Sequence, residues 1–108
     1  MGLLRRKKGR PGTLRAATSA DLEHLRQFIS TRGGVEAYLE PRTAVTDTTV
    51  VLVADTGEWT RRRIDSPDAA AALAKKQSIP LYDAAKVGYP QRMRDWTAQR
   101  RAAGEVGT

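Results

Sequence analysis

Cysteine is absent from this chain of 108 residues, and histidine occurs once, at His24. Without thiols the chain can form no disulfide, no Cys-ligated zinc or iron–sulfur site and no thiolate nucleophile. One histidine also excludes a multi-histidine metal site within the chain and a Cys–His pair. We therefore assign no catalytic residue and no metal ligand, and the sequence favours a binding protein over an enzyme.

Two glycine-rich nucleotide fingerprints are missing as well. Neither G-x-G-x-x-G nor G-x-x-x-x-G-K-[ST] occurs, and the order of elements offers no βαβ unit, so no cofactor is expected. No apolar run approaches the roughly 20 residues of a membrane span, and the first residues lack the apolar core of a signal peptide. These absences predict a cytoplasmic protein with no membrane span.

Positive charge is abundant and unevenly distributed. Lys and Arg number 19 against 12 Asp and Glu, which gives a net charge of +7 and a sequence pI near 10.4. Residues 1–15 hold six of the basic residues and no acid, so the rest of the chain has a net charge of only +1. Such a segment is typical of contact with nucleic acid or anionic lipid. A solvated tail is the alternative interpretation.

Turn residues and hydrophobic periodicity divide the chain into an arm, one domain and a tail. Glycines and a proline punctuate residues 1–16, which predicts a flexible basic arm, followed by a single α+β domain at 17–103 and a disordered tail at 104–108. The predicted elements are a helix at 19–32, strands at 35–40, 48–54 and 58–64, a helix that begins after Ser66, a short extended segment at 79–83 and a helix at 90–103.

These elements predict a three-stranded antiparallel sheet, with room for a short fourth strand, and helices packed on one face. The order is α-β-β-β-α-(β)-α. Strand 48–54 is apolar on both sides, so it is covered on both faces or pairs one face with a partner chain. Alternation places Arg61 and Arg63 on one face and Arg62 on the other, where it could pair with an acid of the sheet: Glu36, Glu40 or Asp47. The expected core consists of Leu25, Phe28, Val51, Val53 and Leu73.

Basic clusters are the strongest indication of function. Arginine forks match phosphate oxygens, and aromatic rings can stack on unpaired bases. Here Trp59 and Trp96 are expected to anchor packing instead of stacking on bases. We expect a small cytosolic accessory protein that binds RNA or the ribosome. The candidate nucleic-acid-binding residues are Arg5, Arg6, Lys7, Lys8, Arg10, Arg61, Arg63, Arg92, Arg94, Arg100 and Arg101.

Two other functions remain open. A protein-interaction or homodimerisation module would use the sheet face of Tyr38 and Trp59 together with residues 82–89. A small enzyme would require a pocket, for which the candidate residues are Asp47, Tyr82, Asp83 and Arg92.

Four segments between Val35 and Trp96 resemble a family of small actinobacterial proteins. The segments are Glu-Pro-Arg-Thr at 40–43, Gly-Glu-Trp-Thr-Arg-Arg-Arg at 57–63, Ile-Pro-Leu-Tyr-Asp at 79–83 and Val-Gly-Tyr-Pro-Gln-Arg-Met-Arg-Asp-Trp at 87–96. Some members of that family carry an oxidoreductase label, so the resemblance keeps an oxidoreductase-like activity open. It supplies no catalytic residue to assign to this sequence.

Overall fold

The computed structural model describes residues 17–104. The arm predicted at 1–16 and residues 105–108 of the predicted tail lie outside the described residues. Within residues 17–104, no helix is long and apolar enough to cross a membrane. The elements are α1 (Ser19–Thr31), β1 (Glu36–Glu40), β2 (Thr49–Val53), β3 (Trp59–Arg63), α2 (Pro67–Gln77), β4 (Leu81–Asp83), α3 (Ala84–Val87) and α4 (Gln91–Ala102).

The fold is α+β with one mixed, four-stranded sheet in the order β3-β2-β1-β4. The first three strands form the predicted antiparallel meander, with Val51 opposite both Tyr38 and Arg61. The segment after Pro80 forms an edge strand, β4, which pairs in parallel with β1. Helix α2 lies between the two edge strands in the chain, and this crossover allows β4 to run parallel to β1.

Side-chain caps explain where helices α1 and α2 begin, as the sequence predicted. The hydroxyl of Thr18 accepts a hydrogen bond from the backbone N–H of Asp21 at 3.1 Å, and the Asp21 carboxylate accepts one from the backbone N–H of Thr18 at 2.9 Å. This reciprocal capping box satisfies two amides that the first turn leaves without helical partners. Ser66 caps α2 by accepting a hydrogen bond from the amide of Ala69 at 3.0 Å, and Pro67 follows at the first helical position.

Helices cover both faces of the sheet, so the prediction that they pack on one face is wrong. Helices α1 and α2 pack on the first face, which we call the α1 face; its buried residues are Leu25, Phe28, Val35, Ala37, Val50, Leu52, Ala54, Ile64, Ala70 and Leu73. Helix α4 packs on the opposite face, the α4 face, where the buried residues are Tyr38, Val51, Val53 and Met93. The predicted core residues are all buried, but in these two separate clusters. Strand β2 is therefore covered on both faces within one chain.

A tight turn between β2 and β3 brings the hairpin close to α4. The backbone N–H of Gly57 donates to the carbonyl of Ala54 at 2.9 Å, and Gly57 has a φ of +96°, which side chains rarely tolerate. A Cβ atom at this position would lie 2.2 Å from the carbonyl oxygen of Arg92. Glycine at this turn therefore permits both the backbone conformation and the close approach of α4.

Candidate nucleic-acid interface

The three consecutive arginines of β3 point to alternate faces, as predicted. Arg61 lies opposite Val51 in the register and Arg62 opposite Val50, and these two valines belong to different core clusters. Arg62 does not pair with the three predicted acids of the sheet. It lies over α1 instead, with its Nη1 atom 3.8 Å from the carboxylate of Asp21. Because α1 covers this face, the acid nearest to Arg62 comes from a helix and not from a strand.

Glu40 is the centre of a polar network on the α4 face. Its carboxylate accepts hydrogen bonds from Arg61 Nε at 2.8 Å and Arg61 Nη2 at 3.0 Å, and from the hydroxyl of Thr49 at 2.6 Å. It also accepts a hydrogen bond from the hydroxyl of Tyr89. Burial opposes ionisation of Glu40, but these hydrogen bonds together hold the pKa of its carboxyl below the usual value. The network fixes the guanidinium of Arg61 against the sheet.

Next to this network lies a cleft with a volume of about 780 Å³. Arg63 and Asp47 both line the cleft, and Arg63 Nε donates a hydrogen bond to Asp47 Oδ2 at 2.6 Å. The other oxygen of Asp47 is buried with no hydrogen-bond partner among the described residues. The cleft is bounded by arginines, acids, threonines and small apolar residues: Asp21, Glu40, Pro41, Thr43, Val45, Thr46, Asp47, Thr49, Arg61, Arg62, Arg63, Ala84, Ala85 and Tyr89.

The pattern of the last helix predicts that Arg92 faces away from the domain, but in the structure its side chain is directed towards the sheet, so that predicted orientation is wrong. Its Nε atom donates to the carbonyl oxygen of Ala54 at 2.9 Å, and its Nη2 atom donates to the carboxylate of Glu36 at 2.8 Å. The hydrogen bond from Arg92 holds the pKa of Glu36 below its usual value. Arg92 therefore fastens α4 to the start of β1.

The exposed side of α4 carries two arginines that make no ion pair within residues 17–104. Arg94 Nη1 donates to the carbonyl of Tyr89 at 3.2 Å, and Arg101 is exposed near the end of the helix. Both line a groove of about 270 Å³, together with Tyr89, Met93, Thr97 and Ala98. No acid contributes to this lining, so the groove is positively charged.

Trp59 contacts α4 from strand β3, and Trp96 is a residue of α4 itself. The indole N–H of Trp59 donates to the hydroxyl of Thr97 at 2.8 Å, and the ring packs against the cluster on the α4 face. The guanidinium carbon of Arg100 lies 4.7 Å from the centre of the Trp96 ring. These contacts explain why both rings are partly buried.

His24 lies on the α1 face, in contact with β3. Its Nε2 atom is 2.6 Å from the hydroxyl of Thr60, and its Nδ1 atom is 3.3 Å from Nη2 of Arg62. Because a guanidinium can only donate, Nδ1 accepts and Nε2–H donates to Thr60, which defines a neutral imidazole. Burial, and then the positive charge of Arg62, lower the pKa of His24. His24 thus links α1 to β3, and no group of three potential metal ligands occurs in the described part of the chain.

The structure separates the residues proposed for an enzyme pocket. Asp47 lies at the end of the sheet near Glu40, whereas Arg92 contacts Glu36, four residues earlier on β1 and about 13 Å away along the strand. The carboxylate of Asp83 caps α3 by accepting from the amide of Ala85 at 2.9 Å. These residues do not form one pocket.

The sheet part of the surface proposed for a partner protein is covered, whereas residues 82 and 85–87 are exposed. Tyr38 is only 6% exposed, and Trp59 lies against α4. Tyr82 remains partly exposed on edge strand β4, with its ring centre 5.3 Å from that of Tyr38. Helix α4 thus covers the sheet face that the homodimerisation alternative assigned to a partner chain.

Of the predicted nucleic-acid-binding residues, the structure brings only some to one surface. Arg94 and Arg101 share the groove, Arg61 and Arg63 share the cleft, and Arg92 is engaged with the sheet. The five candidates of the arm lie outside the described residues: Arg5, Arg6, Lys7, Lys8 and Arg10.

Tyr89 lines both the cleft and the groove, and Glu40 binds its hydroxyl; the sequence named Glu40 only as a possible partner of Arg62 and Tyr89 only within the partner surface at 82–89. Strand alternation already placed Glu40 on the same face as Tyr38, and this was the available signal for its position.

Comparison with protein-family models, with curated proteins and with solved structures finds no match for this chain.

Proposed function

We propose that this protein binds RNA through its exposed arginines on α4 and its basic segment at 1–15. One observation supports the assignment most directly. Arg94 and Arg101 line a groove without any acid, whereas Arg61, Arg63 and Arg92 are each paired with a carboxylate. Guanidinium groups without acidic partners can bind phosphate oxygens without first breaking an existing ion pair.

The distribution of charge supports the same proposal. Residues 1–15 contribute six positive charges with no acid, and α4 adds arginines at the other end of the chain. Polyanion binding by such groups releases counterions, so its affinity falls steeply as salt increases. This salt dependence is the property to measure.

The test is a fluorescence anisotropy titration at several salt concentrations, using a labelled RNA hairpin with a single-stranded tail. We expect the logarithm of the affinity to fall linearly with the logarithm of the salt concentration. Removing residues 1–15 should flatten this slope by up to about four, because single strands contribute roughly 0.7 per phosphate contact. Affinity that is undetectable or independent of salt would refute the proposal.

A pair of double variants tests whether α4 contributes a specific surface. R94A/R101A should weaken binding and reduce the salt slope by about 1.4, as expected for two lost phosphate contacts. The matched control is K75A/K76A, which removes the same charge from exposed positions on α2, on the other face of the sheet. Equal losses in the two variants would contradict the assignment to α4. Tighter binding of a DNA strand of the same sequence would overturn the assignment to RNA.

A further inference from the structure

We infer that the RNA bound by this protein is single-stranded and that one unstacked base enters the cleft beside Tyr89, while the adjoining phosphates lie along the groove of α4. This inference rests on the proposed function and specifies the form of RNA that the same surface takes. It is carried by the shared boundary of two cavities with different charge.

Tyr89 lines both cavities, so it lies at the boundary between the cleft and the groove. The volume of the cleft, about 780 Å³, lies within the range of small-molecule sites in proteins, roughly 300–1,000 Å³. A strand that follows the groove can therefore place a base in the cleft at the point where the two cavities join. The aromatic ring at this junction is a group on which single-stranded bases stack.

The two cavities differ in net charge, and this difference indicates which one takes the base and which one takes the phosphates. The cleft carries three arginines and three acids, so it is balanced and offers no net attraction to a phosphate. The groove carries two arginines and no acid. These arginines are seven residues apart on α4, which corresponds to about 10.5 Å along the helix axis. A neutral base therefore suits the cleft, and a phosphate backbone suits the groove.

The polar groups of the cleft also match the edge of a base. Arg61 binds Glu40 through Nε and Nη2, and Arg63 binds Asp47 through Nε alone. Within residues 17–104, this leaves both Nη atoms of Arg63 without a hydrogen-bond partner. Donors held in place beside carboxylate acceptors can recognise base edges, which carry donors and acceptors next to each other. In a duplex the pairing edges of the bases are occupied by each other.

Steric blocking of the cleft gives the sharpest test, because it leaves the core untouched. Ala85 is exposed on α3 and lines the cleft, so A85W should obstruct the cleft without disturbing a buried contact. The matched control is A72W, at an exposed position of α2 on the other face. The probes are an unstructured labelled RNA strand and the duplex that it forms with its complement.

We expect the wild-type chain to bind the strand about tenfold or more tightly than the duplex, since a stacked base commonly contributes this much. A85W should lose this preference while keeping salt-dependent binding of the duplex, and A72W should behave as wild type. Y89L should weaken strand binding about five- to hundredfold. Y89F retains the ring but loses the hydrogen bond to Glu40, so it should weaken strand binding less than Y89L. Circular dichroism of each variant checks that it is folded.

The outcomes separate this inference from the proposed function. Equal, salt-dependent affinity for strand and duplex that A85W does not change would overturn the inference and leave RNA binding intact. Absence of salt-dependent binding to either RNA would overturn both. Loss of strand binding in A72W as great as in A85W would also overturn the inference, because the effect would not depend on the cleft.

Discussion

The two faces of the sheet are covered by different kinds of interaction. On the α1 face, large apolar side chains from two helices, such as Leu25, Phe28 and Leu73, pack against β2. On the α4 face, Met93 is the buried residue of α4, and directed hydrogen bonds supply much of the remaining contact. Apolar burial is favourable but does not depend on direction, whereas hydrogen bonds fix the position of a helix.

This difference bears on where a binding surface can be built. Helix α4 is fastened by Arg92 to Glu36 and by Thr97 to Trp59, so its inner side is defined by polar contacts. Its outer side is consequently presented in one orientation, with Arg94 exposed beside the groove. The α1 face contributes mainly to stability, and the α4 face carries the surface to which we assign function.

The largest expected effect comes from removing apolar volume on the α1 face. Leu25 is fully buried, and L25A should lower the free energy of unfolding by about 2–5 kcal/mol. Met93 is 8% exposed in the smaller cluster, so M93A should cost less than L25A. Urea denaturation measures both values. Equal losses would contradict the idea that the two faces are stabilised by different means.

Gly57 tests how closely α4 approaches the hairpin. G57A would place a methyl group 2.2 Å from the carbonyl oxygen of Arg92 at a φ of +96°, so the hairpin or α4 must shift. We expect a loss of about 2–3 kcal/mol. Gly88 is the control, since it also has a positive φ but no atom within 4 Å of an added Cβ. G88A should cost less, about 1–2 kcal/mol, because its backbone conformation (φ +71°, ψ −164°) also favours glycine but the added methyl group meets no atom.

Thermal unfolding compares the two glycine variants under the same conditions. If G57A were no more destabilising than G88A, the close packing of α4 on the turn would contribute nothing beyond backbone strain.

Glu40 tests the polar network in the same way. E40Q keeps the shape of the side chain but removes the charge that Arg61 and Tyr89 bind, and we expect a loss of about 1–3 kcal/mol. The control is E58Q, because Glu58 pairs with Arg32 at 2.7 Å in a more exposed position. That pair should contribute less than about 1 kcal/mol. Urea denaturation of E58Q giving the larger loss would contradict a central role for Glu40.

Local signals were sufficient to predict the elements and several contacts within them. Thr18 with Asp21, and Ser66 before a proline, predicted two helix starts because capping depends on residues that are close in sequence. Alternation along β3 separated Arg62 from its two neighbours because successive strand residues point to opposite faces. The short helix α3 was not predicted, although Asp83 caps it in the same local way.

The face chosen by α4 and the partners of its charged residues could not be predicted locally. Met93 provides the one buried side chain of α4, and its pattern does not say which side of the sheet it covers. Arg92 reaches Glu36 across 56 positions of sequence. Such a pair depends on the final arrangement of the strands, so the arginine appeared outward-facing when only the helix was considered.

The smallest expected effect concerns His24 and distinguishes the two faces by their response to acid. Burial lowers the pKa of His24 in the folded protein, so the unfolded chain takes up a proton first, near pH 6.5. Stability should therefore decrease as the pH falls below about 6.5, because protonation favours the unfolded state. The carboxyls of Glu36 and Glu40 on the α4 face also have lowered pKa values. Their contribution is present above about pH 4.5 and is lost only in more acidic solution.

The free energy of unfolding measured between pH 8 and pH 3 should thus fall in two stages, first from the α1 face and then with a contribution from the α4 face. H24Q retains an N–H that can donate to Thr60 but does not titrate, so it should remove the first stage and leave the second. Charged groups near His24 act on its pKa in opposite directions. Arg62 and Arg32 lower this pKa because they oppose protonation, and Asp21 raises it. An unchanged first stage in H24Q would show that another group produces it. If H24Q loses the first stage and keeps the second, the loss of stability near pH 6.5 arises at the contact between α1 and β3.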